Sequence, residues 1–415
     1  MVTTAPPKPQ SYIGPLLIIG ALFFVFGFVT WVNSVLIAFF KQAFALNTLQ
    51  ANLVAFAFFI SYTVMAIPSS WVLSKTGFKN GMSLGLLTMA AGTLIFVPAA
   101  NAGSYPMFLA GLFLIGIGLT VLQTASNPYA TILGPRESAA QRISVLGVAN
   151  KGAGIISQFV FGGLFLTGSN AMAGAGADAA AGIASLQKVV TPYLILTGVL
   201  VVLAGLIRFS TLPEVSEEQD NAVSESAARH TSIWQFPNLV LGVLALFCYV
   251  GAEVISGDTI INYGKAIGFS TDEAKYFTTY TLYGLLAGYV LGIIAIPRWI
   301  SQQNALRYGM MLAIVFTVGA LATDGFLSVM CVALLGFAIA PTWPAIWPLA
   351  LNRLGKFTKL GSALLIMAIS GGAVLPLLHG YLTDAVSPKL AYGLLLPLFV
   401  YILYYATAGY KKTEW

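Results

Sequence analysis

Apolar residues run along this chain in long blocks, each ended by a charge, a Pro/Gly cluster or a brief polar dip. The blocks have the length of a membrane crossing, because a hydrocarbon core about 30 Å thick needs roughly 20 residues of helix. Dividing the chain at these dips predicts twelve spans. Six lie at 12–40, 49–74, 81–100, 105–134, 139–167 and 190–210. The other six lie at 236–264, 273–297, 305–322, 325–352, 360–384 and 389–410. The main polar stretch, 211–235, falls between the sixth and seventh spans and holds Glu214, Glu217, Glu218, Asp220, Glu225 and Arg229. It reads as a solvated linker. The expected organisation is a first six-helix bundle at 1–210, a linker at 211–235 and a second bundle at 236–415. A Gly/Ala-rich segment at 171–185 reads as a loop.

Composition agrees with this pattern. Hydrophobic residues make up 58% of the 415 and charged residues only 8%, with a mean hydropathy of +0.85. Soluble domains carry about 25% charged residues, so the class is an all-α polytopic membrane protein whose solvent is the lipid bilayer. The net charge of +6 is dispersed and does not predict a nucleic-acid partner. It marks topology instead. With both termini inside, fourteen Lys and Arg fall on the inner side and five on the outer, Lys151 completing the twenty. The positive-inside rule therefore places both termini in the cytoplasm. Cys248 and Cys331 both sit in apolar segments and read as small buried hydrophobes. The first apolar run is too long for a signal-peptide core. No nucleophile–base pair, metal spacing, Walker motif or dinucleotide fingerprint is present, so neither an enzyme nor a nucleotide-driven pump is expected, and no cofactor.

The two halves resemble each other. Aligned without gaps, 144–166 and 362–384 share Ser144/Ser362, Leu146/Leu364, Gly154/Gly372, Gly162/Gly380 and Leu164/Leu382. This fits two parallel repeats related by an axis along the membrane normal. Small residues (Gly111, Gly116 and Gly118 in span 4, Gly371 and Gly372 in span 11) let helices approach or bend. Pro128, Pro344, Pro348 and Pro376 interrupt the backbone ladder inside spans, which persists only where protein or a water-filled cavity satisfies the freed groups.

Three charges remain at membrane depth: Lys151, Glu253 and Asp258. Each costs about 2.5–3.5 kcal/mol or more at the centre of the bilayer if it faces lipid. One cation against two anions allows one ion pair and leaves one carboxyl to be protonated, hydrogen-bonded or bound to a cation. The plainer alternative for Glu253 and Asp258 is that they sit near the outer end of span 7 and meet water. Lys151, by contrast, lies roughly 13 Å into the membrane from Arg142. In the repeat its counterpart is Ile369, so the fold does not demand a charge there.

Neutral polar groups gather nearby. Gln123 and Asn127 share a face of span 4; Thr30, Asn33 and Ser34 share one in span 1; Asn150 precedes Lys151. Such amides and hydroxyls suit a sugar, whose C–H faces stack on aromatic rings. Trp343 and Trp347, four apart in span 10, and Tyr283 in span 8 are the candidates, with helix packing or an interface belt as the alternative for the Trp pair. His379 reads as a packing residue.

Three runs carry a family resemblance: GLFLIGIGLTVLQTASNPYATILGP (111–135), FCYVGAEVISGD (247–258) and TKLGSALLIMAISGGAVLPLLHGYLTD (358–384). They resemble the fourth, seventh and eleventh helices of the fucose–galactose–glucose branch of the major facilitator superfamily, and the likeness covers nearly the whole chain. SWVLSKTGFKNG (70–81) has Ser74 where the superfamily's loop signature has an Asp, a departure the fucose permease branch shares. The resemblance implies twelve helices in two pseudo-symmetric six-helix bundles, a bacterial inner membrane, a monomer and alternating access to a midplane sugar site. The fucose permease type couples protons through carboxyls in helices 1 and 4; those positions match Ser34 and Gln123, both neutral. Its sugar-binding Asn in helix 5 matches Asn150, and its nearby Gln matches Gly147. Glu253 looks like the glucose/galactose type.

The expectation is therefore a hexose carrier, glucose or galactose before fucose or an N-acetylhexosamine, with Asn33, Gln123, Asn127, Asn150, Lys151, Tyr283, Trp343 and Trp347 at the sugar. Coupling to H+ falls to Lys151 with Glu253 or Asp258. The alternatives are an uncoupled carrier in which Lys151 is a fixed cation, a Na+-coupled one, and, outside the class, a drug efflux carrier.

Overall fold

In the computed structural model the chain is almost entirely helical, and residues 13–132, 139–166, 185–210, 232–296, 298–354 and 357–412 are described. The side chains of 13, 127–132, 139–142 and 359 lie outside the description, as do the 211–231 part of the expected linker and most of the 171–185 loop.

Span 1 is Gly14–Ala43. Spans 2 and 3 form one helical run, Leu53–Ala102. The predicted gap between them is a single backbone break at Gly77, whose φ of 75° and ψ of 168° leave the helical region. Only glycine adopts such a backbone freely, and it turns the chain without a loop. Spans 4, 5 and 6 are Tyr105–Ser126, Ile143–Leu166 and Gln187–Phe209. Spans 7 to 12 are Pro237–Asp258, Thr271–Ala295, Gln302–Ala322, Gly325–Leu351, Leu360–Ala385 and Leu390–Lys411. Span 7 is shorter than expected: its helix ends at Asp258 and a separate short helix, Ile260–Ala266, follows.

Within each half, glycines set how closely helices approach. In the first, a Cβ at Gly27 of span 1 would stand 1.9 Å from the carbonyl oxygen of Asn150 in span 5. In the second, a Cβ at Gly251 of span 7 would stand 2.9 Å from the Gly371 carbonyl of span 11, and one at Gly371 only 1.9 Å from the Phe247 carbonyl. Helices in lipid have no hydrophobic drive to associate, so this backbone-to-backbone contact is what binds them.

The halves meet in a repeated way at the end of the molecule away from the termini. Gly380 of span 11 abuts the start of span 2, where a Cβ would lie 2.7 Å from Asn52 Nδ2 and 3.1 Å from Leu49 Cα. Its repeat mate Gly162 faces the Lys275 carbonyl beside the start of span 8 at 3.6 Å. Hydrogen bonds reinforce the first contact. The Asp384 carboxylate accepts from the backbone N–H of Thr48 and Leu49 at 3.2 and 2.9 Å, and Asn52 Nδ2 donates to the Pro376 carbonyl at 2.7 Å.

Two spans are broken at depth. Span 10 is interrupted at Ala340–Pro341 between Gly325–Ile339 and Thr342–Leu351. Span 11 tightens into a single turn, Ala368–Ser370, between Thr358–Met367 and Gly371–Ala385. Both breaks lie at the central cavity, beside Trp343 and Ile369, where irregular backbone is tolerated.

Candidate functional site

A cavity of about 930 Å³, partly continuous with open solvent, lies between the halves. Its wall runs from Ile143, near the terminal end of span 5, to Trp31, Phe59 and Asp258, towards the end where the halves meet.

Lys151 is its centre. The side chain is 9% exposed, and Nζ stands 2.8 Å from Glu253 Oε1. Lys151 belongs to span 5 and Glu253 to span 7, so this ion pair bridges the two halves. The ammonium also lies 4.7 Å from the centre of the Trp31 ring. Tyr249, one turn before Glu253, interacts with both Glu253 and Tyr289, which sets two phenols beside the pair. Asp258 is the remaining carboxyl. It is 3% exposed, faces the cavity, and sits five residues past Glu253. Among the described residues Lys151 is the cavity's one cation, against the two carboxyls of Glu253 and Asp258.

The neutral groups complete a mixed surface. Gln123 donates from Nε2 to the Tyr62 hydroxyl at 3.0 Å, leaving its carbonyl oxygen for other contacts. Asn150 donates to the Phe23 carbonyl at 3.3 Å and lines the cavity. Trp343 supplies an aromatic wall, stacked on Trp347 at 5.4 Å and 26° and tilted against Tyr249 at 6.5 Å.

Of the residues expected at the sugar, the structure brings Gln123, Asn150, Lys151 and Trp343 to the cavity, with the coupling candidates Glu253 and Asp258. Trp347 stands behind Trp343 rather than on the wall. Tyr283 is 48% exposed on the outside of span 8. Six residues separate it from Tyr289, roughly 120° round the helix, and Tyr289 takes the inward face. Asn33 is fully buried away from the cavity, and neither amide atom has a hydrogen-bond partner among the described residues. Asn127 has its side chain outside the described residues.

The two positions matched to the family's proton carboxylates differ in setting. Gln123 faces the cavity. Ser34 is fully buried, giving its hydroxyl to the Trp31 carbonyl at 3.0 Å and to Gln158 Oε1 at 3.1 Å. Gly147, matched to a longer polar residue, faces the Tyr289 ring, where a Cβ would already approach to 3.0 Å. Tyr289 thus fills space that a side chain at position 147 would claim. Sequence reasoning missed Trp31, Tyr62, Tyr249 and Tyr289. Tyr249 was within reach, since it precedes Glu253 by four residues on one helix face; the others gave no local signal.

The sequence pattern of the Major Facilitator Superfamily matches residues 19–375. The chain is 34% identical over 412 residues to a glucose/galactose transporter of Brucella abortus, covering 99% of this chain and 97% of that one. It is 29% identical over 395 residues to an L-fucose-proton symporter of Escherichia coli, covering 91% and 89%. Among solved structures, FucP in the outward conformation superposes with a TM-score of 0.74 at 29% identity, covering 96% of this chain and 99% of that one.

Proposed function

The chain belongs to the major facilitator superfamily as a sugar transporter, not an enzyme, and we propose that it carries glucose or galactose across a bacterial inner membrane. The assignment to these hexoses leans on the Brucella relative's name and reach and on Glu253. The observation that carries the reading is the cavity between the halves, with amides at Gln123 and Asn150, an aromatic wall at Trp343 and an ion pair across its floor. Amides and the ion pair match hydroxyls that both donate and accept; the indole matches the sugar's C–H face.

With the termini cytoplasmic, the closed end at Asp384 and Asn52 faces outward and the cavity faces the cytoplasm. Alternating access then requires the outer contacts to part. Because Lys151–Glu253 bridges the halves, that motion strains or breaks the pair. Sugar hydroxyls are placed to substitute for the lost partners. Protons couple to this cycle at the span 7 carboxyls. Among the described residues Asp258 has no cation of its own, and a lone carboxylate at membrane depth is costly, so it travels neutralised by a proton. Glu253 alternates between Lys151 and that role.

A second reading has its own support. The 2.8 Å pair is closed and covered by Trp31, which also suits a fixed cation that stands in for a coupling ion and leaves an uncoupled carrier. Purified protein in liposomes separates the two. Labelled hexose should exchange against internal hexose, and an inward proton gradient should drive accumulation. Exchange without any response to the gradient selects the uncoupled carrier, and no exchange with either sugar rejects the hexose assignment.

A further inference from the structure

Trp31 is held on three sides by groups from both halves. Its side chain belongs to a residue only 4% exposed. The Lys151 ammonium stands 4.7 Å from the ring centre. Gly154, three residues past Lys151 on span 5, lets the ring lie on its backbone: a Cβ there would meet Trp31 Cδ1 at 2.6 Å. Gly257 of span 7 does the same at the opposite edge, where a Cβ would meet Cζ3 at 2.6 Å. One indole therefore reaches from span 5 in one half to span 7 in the other.

Its backbone is pinned as well. The Trp31 carbonyl accepts from Ser34 Oγ at 3.0 Å and from Gln158 Nε2, and Ser34 also meets Gln158. All three side chains of this lock are buried. A cation within about 6 Å of an indole face is attracted to it, so the ring covers one side of Lys151 and leaves its ammonium to Glu253. Among the described residues, the other titratable groups lining the cavity with Lys151 are Glu253, its ion-pair partner, Tyr62 of span 2, Asp258 and Tyr249 of span 7 and Tyr289 of span 8.

We propose that Trp31 is a positioning residue that ties closure of the halves to the Lys151–Glu253 pair. With Gly257 against the ring, the ring is seated on Lys151 and the ammonium is directed to Glu253. When span 7 withdraws, the ring loses one wall and the cation loses its cover as the ion pair parts. This inference rests on the reading of Lys151 and the span 7 carboxyls as the coupling groups.

The test compares Trp31→Phe, Trp31→Leu, Gly257→Ala and Lys151→Met in liposomes, reading the ratio of proton-gradient-driven hexose uptake to hexose exchange. Trp31→Phe keeps an aromatic face and should hold the ratio near that of the parent. Trp31→Leu should lower it about three- to thirty-fold, the span a cation–π contact supplies. Gly257→Ala, which leaves both Trp31 and Lys151 in the sequence, should lower it by displacing the ring. A fall in Lys151→Met with none in Trp31→Leu or Gly257→Ala overturns the positioning role alone. No fall in any variant overturns the coupling reading and the inference with it. Should Trp31→Leu fail to fold, tryptophan emission decides: the component lost in Trp31→Phe should change in Lys151→Met, and an unchanged component overturns the proposal.

Discussion

Replacing Lys151 with Met strands the Glu253 carboxylate between the halves. At 2.8 Å the pair's attraction is about 6 kcal/mol at an effective dielectric of 20. Desolvating both ions offsets much of that, and removing one partner of a buried pair costs about 3–5 kcal/mol. Exposures of 9% and 13% and a cavity partly open to solvent place Lys151→Met near the lower figure, about 3 kcal/mol. Glu253→Gln should cost less, about 2 kcal/mol, because the ammonium keeps Trp31, a contact worth about 0.5–2 kcal/mol. The double substitution removes both charges and should cost no more than the larger single change, giving a coupling of about 2 kcal/mol, well inside the range for contacting residues. Reversible unfolding of the four proteins in mixed micelles measures the cycle. Single effects that add within about 0.5 kcal/mol would show that the pair contributes nothing in the resting protein, and the bridging role would fail.

Further outcomes test the surrounding structure. Asp258→Asn should remove the response of uptake to an imposed pH gradient, measured as hexose accumulation with and without the gradient; an unchanged response clears Asp258 of the proton. Asp384→Asn weakens the charge-assisted bonds to Thr48 and Leu49, each worth about 1.5–3 kcal/mol, and should speed amide hydrogen exchange at those two residues about tenfold or more. Gly371→Ala forces a Cβ to within 1.9 Å of the Phe247 carbonyl and should prevent recovery of folded protein, whereas Gly152→Ala, with nothing within 4 Å, should leave the melting temperature unchanged. Trp343→Ala removes the aromatic wall and should raise the KM for hexose about three- to tenfold, in keeping with about 0.5–1.5 kcal/mol for an aromatic contact beyond its buried area.

The span pattern carried much of the fold because lipid imposes one rule on every helix: length and apolarity. Twelve crossings were legible, and the small errors fall where a single residue does what a loop usually does. Gly77 reverses the chain with one backbone rotation, so spans 2 and 3 have no polar gap of the expected size. Asp258 ends span 7 early, because composition does not mark a break between two adjacent helices. The repeat register held physical meaning, since Lys151 and its counterpart Ile369 both line the cavity.

The cavity's lining was legible where charge made it expensive. Lys151, Glu253 and Asp258 announce themselves at membrane depth, and one pair with one carboxyl over is what the geometry contains. Neutral residues announce less. Asn33 and Tyr283 have the right chemistry on the wrong faces, and a rotation of a helix by one residue decides which of two tyrosines in span 8 meets the cavity. Trp31, Tyr62 and Tyr289 sit within apolar runs and look like packing; only the crossing of helices from separate parts of the chain gives them a polar neighbour.

The direct test is proton movement with sugar. Liposomes holding the purified protein and a trapped pH-sensitive dye are given glucose or galactose from outside at equal pH. Coupled transport predicts acidification of the lumen with either sugar, absent without protein and lost in Asp258→Asn. Hexose uptake with no change in luminal pH would contradict proton coupling and leave a carrier in which the Lys151–Glu253 pair only holds the halves together.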